Sequence, residues 1–160
     1  MKRYAHLPSP LGPVLVMSED DMLTRVYLDC DEVPAGDDWV RDPDSFASVA
    51  EQLDAYWRGE LTTFDVPMDP PGTEFQKQVW AALTDIPYGT TMTYGAIADA
   101  IGKPRAVRAV GRANGSNPIA VIVPCHRVIG ANGSLTGYAG GIDKKERLLA
   151  LEREGSRNRF

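Results

Sequence analysis

A cysteine, a histidine and an arginine follow one another at Cys125-His126-Arg127, directly after Pro124. The thiolate is the reactive form of cysteine, and a neighbouring imidazole or guanidinium favours that form. Because proline has a fixed φ and no N–H group, we expect the β-branched run at residues 119–123 to form a strand that stops just before Cys125. The pattern predicts a nucleophilic thiol at a strand end. The competing interpretation is a cysteine that serves only as a small buried apolar residue.

The imidazole of His126 needs a partner that orients it, and a carboxylate is the usual one. Glu152 is the best candidate, because it lies on or next to the apolar stripe of the predicted last helix, where a carboxylate requires a partner. Adjacent residues of a strand point to opposite sides, so a water molecule between Cys125 and His126 is easier to arrange than a direct contact. The alternative for Glu152, which the residues alone favour, is an exposed side chain in a salt bridge with an arginine such as Arg147 or Arg153.

The length and the charge distribution limit the classes of protein to which this chain can belong. With 160 residues, 43% of them hydrophobic and 24% charged, the chain can form one compact unit or two small lobes. Residues 1–70 carry 5 Lys or Arg against 15 Asp or Glu, whereas residues 71–160 carry 12 against 7. A polyanion would be attracted by the second part and repelled by the first. The alternative for the first part is a merely solvated acidic surface.

The cysteines and the apolar runs predict a cytoplasmic protein. No apolar run is long enough to span a membrane, and none follows the first residues as in a signal peptide. Cys30 and Cys125 are far apart and do not suggest a disulfide framework, which fits a compartment where free thiols survive. The negatively charged Asp29 and Asp31 flank Cys30, so we expect Cys30 to be unreactive.

The first 70 residues predict a small β-sheet lobe with one helix. Apolar patterns predict three strands, at residues 4–7, 11–17 and 22–28. The acidic residues 31–43, which include prolines and a glycine, predict a loop. An apolar periodicity predicts a helix from Asp44 or Ser45 to about Arg58. The proline-rich residues 60–72 predict a linker between lobes.

Two short helices joined by a Gly-Lys-Pro turn predict a helix-turn-helix in a mainly helical second lobe. Thr93 caps the first helix, which ends near Ile101, and Pro104 opens the second, over residues 105–114. The second helix combines spaced arginines with small residues that allow close approach to a surface: Arg105, Arg108, Arg112, Ala106, Ala109, Gly111 and Ala113. This combination favours DNA contact over the alternative of a solvated basic face.

Other signals place the elements around the cysteine. Thr73 and Gln76 have capping-box spacing and start a helix ahead of the helix-turn-helix. Asn132-Gly133 predicts a hairpin turn after a short strand at residues 128–129. A last helix is expected over residues 143–154, where it carries the candidate carboxylate.

The motif Pro-Cys-His-Arg-Val at residues 124–128, with Asn117-Pro118 before it and Gly-Tyr-Ala-Gly-Gly at residues 137–141 after it, resembles the O6-alkylguanine-DNA alkyltransferases (methylated-DNA–protein-cysteine methyltransferases). The similarity runs through about residues 70–155 and continues more loosely towards the N-terminus. It implies an α/β (α+β) fold, with a ribonuclease-H-like lobe over residues 1–70 and a DNA-binding, alkyl-transfer lobe over residues 71–160. It also implies irreversible transfer of the alkyl group of O6-alkylguanine, chiefly O6-methylguanine, to the protein's own cysteine.

The resemblance implies a catalytic role for five residues. Cys125 is the nucleophile, and a Cys–water–His–Glu relay connects it to His126 and Glu152. Tyr94 matches the tyrosine that gives a proton to the leaving guanine. Asn117 matches the asparagine that supports the turn around the active-site loop.

The resemblance also implies a mode of DNA binding. The partner is double-stranded DNA, bound through its minor groove with the alkylated guanine flipped out, and Arg108 matches the arginine that takes the place of that base. The other DNA contacts are expected from Arg105, Arg112, Ala109, Thr93 and Tyr94. The guanine pocket is expected to be lined by Tyr138, Val123, Pro124, Ala139 and Gly140.

The resemblance also bears on metal binding and on the oligomeric state. Some family members carry zinc near the N-terminus, but His6 and Cys30 are too few for a four-ligand site, so we expect no metal and no other cofactor. The protein is expected to act as a monomer, alone or cooperatively along DNA.

Non-reactive damage-binding relatives have tryptophan in place of Cys125. A cysteine hydrolase would leave the arginine helix unexplained, and a helix-turn-helix regulator would leave Cys125 and Glu152 without a role.

Overall fold

The computed structural model of the protein describes residues 1–135, 138 and 141–157. The chain divides into two units: Met1–Pro71 together with Pro118–Ala120, and Gly72–Asn117 together with the described residues from Val121 onwards. The first unit contains a sheet with helical segments, and the second is mainly helical. The predicted α/β (α+β) class is confirmed.

A four-stranded sheet forms the centre of the first unit. Its strands lie in the order β3-β2-β1-β4: β1 (Lys2–Leu7), β2 (Val14–Glu19), β3 (Met22–Tyr27) and β4 (Trp39–Arg41). β2 is antiparallel to both β1 and β3, whereas β4 is parallel to β1. The interpretation of residues 31–43 as loop was wrong at β4, because three residues on a sheet edge pair with β1 without leaving a periodicity in the sequence.

The helix of the first unit confirms the predicted apolar stripe. A 3₁₀ turn over Pro43–Phe46 leads into α1 (Ala47–Trp57), which buries Val49, Leu53 and Tyr56. Gly59 follows the C-cap with φ 73°, a left-handed conformation that ends the helix.

Four helices make up most of the second unit: α2 (Glu74–Thr84), α3 (Tyr94–Ala100), α4 (Val107–Gly115) and α5 (Ile142–Arg157). α2 has the predicted capping box, in which the Thr73 hydroxyl accepts from Gln76 N–H and the Gln76 side chain accepts from Thr73 N–H. Thr93 caps α3 as predicted, with its hydroxyl 3.1 Å from the Ala96 nitrogen. Trp80 on α2 donates to the Ala113 carbonyl at 2.8 Å, which anchors α4.

α3 and α4 occupy the predicted helix-turn-helix, but the second helix begins later than expected. Its first residue is Val107, so Pro104 and Arg105 lie in the turn between the helices. The Ala106 N–H bonds to the Lys103 carbonyl at 2.9 Å and closes a tight turn across Pro104, which delays the helix.

The segment before the cysteine is not a strand, which corrects the expectation for residues 119–123. Ile119 forms a single bridge with Val26, and the following residues turn, with Val121 at φ 69°. Cys125 is therefore the first residue of a single 3₁₀ turn, Cys125–Arg127, rather than the residue at a strand end.

The strand after the cysteine pairs differently from the prediction. β6 (Val128–Ile129) lies parallel to β5 (Met92–Thr93), so its partner comes from the residues just before α3. The expected turn at residues 132–133 is present, since Gly130 N–H bonds to the Ser134 carbonyl at 2.9 Å. The sequence showed the turn but contained no signal for the distant partner of β6.

Candidate active site and DNA-binding surface

Three buried side chains meet next to the cysteine in the sequence. His126 and Glu152 have no exposed surface, and Arg127 is 5% exposed. His126 Nε2 lies 2.6 Å from Glu152 Oε2, while Arg127 Nε and Nη2 donate to the two carboxylate oxygens at 2.8 and 3.0 Å. A carboxylate with two such partners is held in one orientation. The structure thus places Glu152 against His126, and the alternative of an exposed Glu152 is wrong.

The turn before α3 holds this cluster from the other side. Arg127 Nη1 donates to the Ile86 carbonyl at 2.7 Å, and Gly89 N–H donates to Glu152 Oε1 at 3.3 Å. α5 approaches this turn so closely that a Cβ atom on Gly155 would overlap with the Tyr88 hydroxyl. The carboxylate is therefore fixed by α5, by the 3₁₀ turn and by the turn before α3.

The cluster shifts the ionisation of both members of the His–Glu pair. Burial would raise the pKa of Glu152, but the hydrogen bonds and charges of His126 and Arg127 bring it down to about 2. Burial lowers the pKa of His126, against the opposing effect of Glu152. Because a carboxylate can only accept, the neutral imidazole donates its Nε2–H to it. Nδ1 is then an acceptor, and it is buried without a protein partner among the described residues.

Cys125 is 6% exposed, and this burial raises the pKa of its thiol. A hydrogen bond from Asn117 and the positive charge of Lys145 oppose that effect. The thiol is therefore protonated at neutral pH and needs a base before it can react. The expectation that the neighbouring guanidinium favours the thiolate was wrong, because Arg127 turns towards Glu152.

Lys145 was missed by the sequence reasoning. Its side chain is fully buried, and its Nζ donates to the Val128 carbonyl at 2.5 Å. Burial lowers the pKa of Lys145, and a thiolate at Cys125 would oppose that effect. A signal was present, because Lys145 lies seven positions before Glu152 and so shares the buried side of α5.

Two asparagine side chains hold the backbone of the cysteine loop. Asn117 Nδ2 donates to the Val123 carbonyl at 2.8 Å, and Asn114 Nδ2 donates to the Cys125 carbonyl at 3.3 Å. Asn114 is buried and was not anticipated, since an asparagine near a helix end is usually assigned to capping. Both carbonyls beside the thiol are thereby tied to the end of α4 and the residues after it.

The residues expected to form the pocket are only partly described. Val123 and Pro124 are buried directly before the cysteine. Burial raises the pKa of Tyr138, whose hydroxyl is buried without a protein partner among the described residues. Ala139 and Gly140 lie outside the described residues.

The arginines expected to bind DNA are exposed, but they do not all share a helix. Arg108 and Arg112 are four positions apart on α4 and share one side of it, whereas Arg105 precedes the helix. Ala109 is partly exposed between them, while Ala113 is buried against Trp80 and cannot contribute to a contact surface.

The start of α3 lies beside α4. A Cβ atom on Gly111 would lie 3.9 Å from Cδ1 of Tyr94, so the ring packs beside the glycine without a gap. Thr93, which caps α3, is partly exposed next to it. The structure therefore brings Thr93 and Tyr94 to the helix that carries the arginines.

Neither a cluster of metal ligands nor a membrane-spanning helix is present in residues 1–135, 138 and 141–157. Within these residues, no group of three His, Cys, Asp or Glu side chains is placed to hold a metal ion. No helix in the same ranges is long and apolar enough to cross a membrane.

The two parts of the chain match two family models. Residues 74–154 match the DNA-binding domain of 6-O-methylguanine DNA methyltransferase, and residues 2–70 match the ribonuclease-like domain of the same family. The chain belongs to this family. It is therefore a methyltransferase of DNA repair, and DNA is its partner.

Similar proteins cover nearly the whole chain. A methylated-DNA–protein-cysteine methyltransferase of Mycolicibacterium paratuberculosis is 53% identical over 98% of this chain and 95% of its own. One of Methanosarcina acetivorans is 55% identical over 93% of this chain and 97% of its own. The crystal structure of Mycobacterium tuberculosis O6-methylguanine methyltransferase has a TM-score of 0.89 and 52% identity, and covers 96% of this chain and 94% of that one. A structure of the M. tuberculosis protein in complex with DNA has the same TM-score and coverage.

All of the side-chain cluster falls inside the matched DNA-binding domain. The segment 74–154 includes Cys125 and His126, and it also includes the part of α5 that carries Lys145 and Glu152. In this chain the candidate reactive cysteine and the candidate DNA-binding helix α4 therefore lie within the same matched domain.

Proposed function

We propose that the protein repairs O6-alkylguanine, chiefly O6-methylguanine, in double-stranded DNA by transferring the alkyl group irreversibly to Cys125. The observation that carries this proposal is the buried His126–Glu152–Arg127 cluster beside a thiol that is protonated at rest. Such a cluster can accept a proton from the thiol in a site closed to bulk solvent. More than 50% identity to proteins named methylated-DNA–protein-cysteine methyltransferases supports the same reaction.

The proton leaves the thiol through His126. A water molecule between Sγ of Cys125 and the free Nδ1 of the neutral imidazole carries the proton across. The imidazolium that forms is stabilised by the ionised Glu152, which Arg127 keeps in place. The ammonium group of Lys145 stabilises the thiolate electrostatically, since its charge lowers the pKa of the thiol.

The alkyl transfer is a direct displacement. The thiolate of Cys125 attacks the alkyl carbon, an S–C bond forms, and the C–O6 bond breaks with its electrons remaining on guanine. Tyr94 gives a proton to the leaving guanine and becomes a phenolate. The proton that His126 took from the thiol is then released to solvent, and the phenolate takes one up from solvent, so that both side chains return to their neutral forms. A thioether does not hydrolyse, so each protein molecule reacts once.

Access to the target atom requires that the base leaves the duplex. O6-alkylation removes the N1 proton of guanine and weakens its pairing, which makes flipping easier. α4 enters the minor groove, where Arg108 takes the place of the flipped base and Arg112 and Arg105 contact the backbone. The flipped guanine then lies against Tyr138, Val123 and Pro124.

The protein acts as a monomer in the cytoplasm, with its lobes divided near residue 70.

Intact mass spectrometry after incubation with a duplex containing O6-methylguanine tests this proposal. We expect a gain of about 14 Da, once per protein and located on Cys125 by peptide mapping. Cys125→Ser and an unmodified duplex are the controls, and the other thiol, Cys30, should stay unmodified. An unchanged mass together with tight binding of the damaged duplex would contradict transfer and leave a damage-binding protein.

A further inference from the structure

Val121 has an unusual backbone conformation four residues before the reactive cysteine. Its φ is 69°, in the left-handed region where a β-branched side chain is sterically disfavoured. The other non-glycine residues with positive φ in the described ranges are aspartates, which tolerate this region: Asp20, Asp21 and Asp29. Glycine would adopt the conformation without strain, so the valine at this position calls for a physical reason.

Burial explains how the strained conformation persists. Val121 is 1% exposed, and its neighbours Ile119, Ile122 and Val123 are buried as well. Val121 thus lies in a buried, apolar segment, and close packing of the protein interior resists rearrangement of the backbone there. Strain of this kind persists where the surroundings determine the conformation, and it clusters at functional sites.

The reversal at Val121 makes the active-site loop possible. Asn117 donates through its side chain to the Val123 carbonyl, six residues later, at 2.8 Å. Six extended residues would span about 20 Å, far beyond the reach of an asparagine side chain. The Val123 carbonyl also accepts from Cys125 N–H at 2.8 Å, so the chain must turn back between residues 117 and 123 before the thiol can be placed.

We infer that Val121 is a positioning residue for alkyl transfer: its left-handed backbone and its packed side chain restrict the cysteine loop to one conformation. This inference rests on the proposed function for its reaction, but the restriction of the loop is a property of the free protein. Valine stabilises that single conformation by packing and excludes the many others that glycine would permit. The strained backbone at Val121 lowers the free energy of unfolding, while the restricted loop holds the thiol in one position.

Two substitutions separate positioning from ordinary packing. Val121→Ala removes methyl groups but leaves a Cβ atom in the disfavoured region, whereas Val121→Gly removes the strain and frees the backbone. We expect Val121→Gly to have the higher melting temperature of the two. We also expect it to be the slower in single-turnover transfer, by about tenfold or more, because small displacements of a reacting group are costly.

Val79 on α2 provides the matched control. It is a buried valine of the same unit with ordinary helical backbone. At Val79 the alanine variant should be the more stable, since glycine disfavours helix, and the transfer rate should follow stability. At Val121 the more stable of the two variants should be the slower in alkyl transfer, whereas at Val79 the more stable variant should be the faster. This difference between the two positions is expected if Val121 positions the thiol.

A second measurement needs no alkylated DNA. Iodoacetamide labelling of Cys125 in the free protein, followed by peptide mapping, should be several-fold faster in Val121→Gly than in the original protein, because the loop opens. If the original protein fails to take an alkyl group from DNA, the proposed function fails, but labelling still tests the loop. The inference is overturned if Val121→Gly is labelled no faster than the original protein and transfers the alkyl group as fast as Val121→Ala. It is also overturned if Val121→Ala has the higher melting temperature of the two variants.

Discussion

Two sets of basic side chains in the second unit differ in what they touch. Arg127 and Lys145 are buried and donate to Glu152 and to backbone carbonyls. Arg108 and Arg112 are exposed on α4, and no described residue pairs with them. Buried charges interact strongly and hold a fixed geometry, whereas exposed charges are screened by salt and remain available to a partner. Within one domain, basic side chains therefore serve the proposed thiol chemistry where they are buried and the proposed polyanion contact where they are exposed.

The largest expected effect comes from removing the charge of the buried carboxylate. Glu152→Gln leaves the guanidinium of Arg127 buried without its counterion, which should lower the free energy of unfolding by about 3–5 kcal/mol. Urea denaturation measures this change. Glu154→Gln on the same helix is the control, because its side chain is 68% exposed and it should change stability by less than about 0.5 kcal/mol. Equal effects at the two positions would remove the distinction between buried and exposed charges.

Acid should weaken the fold through the same pair. The pKa of Glu152 falls from 4.5 to about 2 on folding, which corresponds to about 3 kcal/mol of stability that is present above pH 4.5 and is lost as the pH falls towards 2. The lowered pKa of His126 acts in the same direction, since the unfolded chain takes up its proton first below about pH 6.5. Denaturation midpoints between pH 7 and pH 3 should decrease steadily. A flat profile over that range would contradict the ionised Glu152 and neutral His126.

Replacing a helical glycine with alanine should change the free energy of unfolding in opposite directions on α5 and on α4. Gly155→Ala forces a Cβ atom against Tyr88 and should destabilise by about 1–3 kcal/mol through overpacking. Gly111→Ala on α4 meets only an ordinary contact with Tyr94 and should stabilise by up to about 1 kcal/mol, because alanine favours helix. Thermal unfolding of the two variants measures both. Destabilisation of both by the same amount would show that α4 is packed as tightly as α5.

The smallest expected effect concerns an exposed arginine. Arg112→Ala should leave the unfolding transition unchanged and reduce by about 1 the slope of log affinity against log salt for duplex DNA. Fluorescence anisotropy at several salt concentrations measures the slope. Arg58→Ala in the acidic first unit is the control and should leave the slope unchanged, since Arg58 pairs with Glu60. An unchanged slope for Arg112→Ala would place the DNA contact elsewhere.

Local signals in the sequence predicted part of the fold well. The caps at Thr73 and Thr93 and the helix end near Arg58 were predicted correctly, because each depends on a few neighbouring residues. The short strands β4 and β6 were missed or given wrong partners, because their hydrogen bonds come from strands far away in the chain. The start of α4 was placed too early, because the turn across Pro104 competes with helix initiation there.

The residue types of the site and the family could be recognised from the amino-acid sequence alone, because Pro-Cys-His-Arg-Val and a carboxylate on an apolar stripe are visible without coordinates. Tertiary structure decided which charge faces which group. Arg127 binds Glu152 rather than the thiol, and Lys145 supplies the buried positive charge, because packing of α5 against the 3₁₀ turn and β6 brings together residues 17 to 26 positions apart. It also decided the backbone at Val121, since no local pattern predicts a conformation that only the surrounding core can hold.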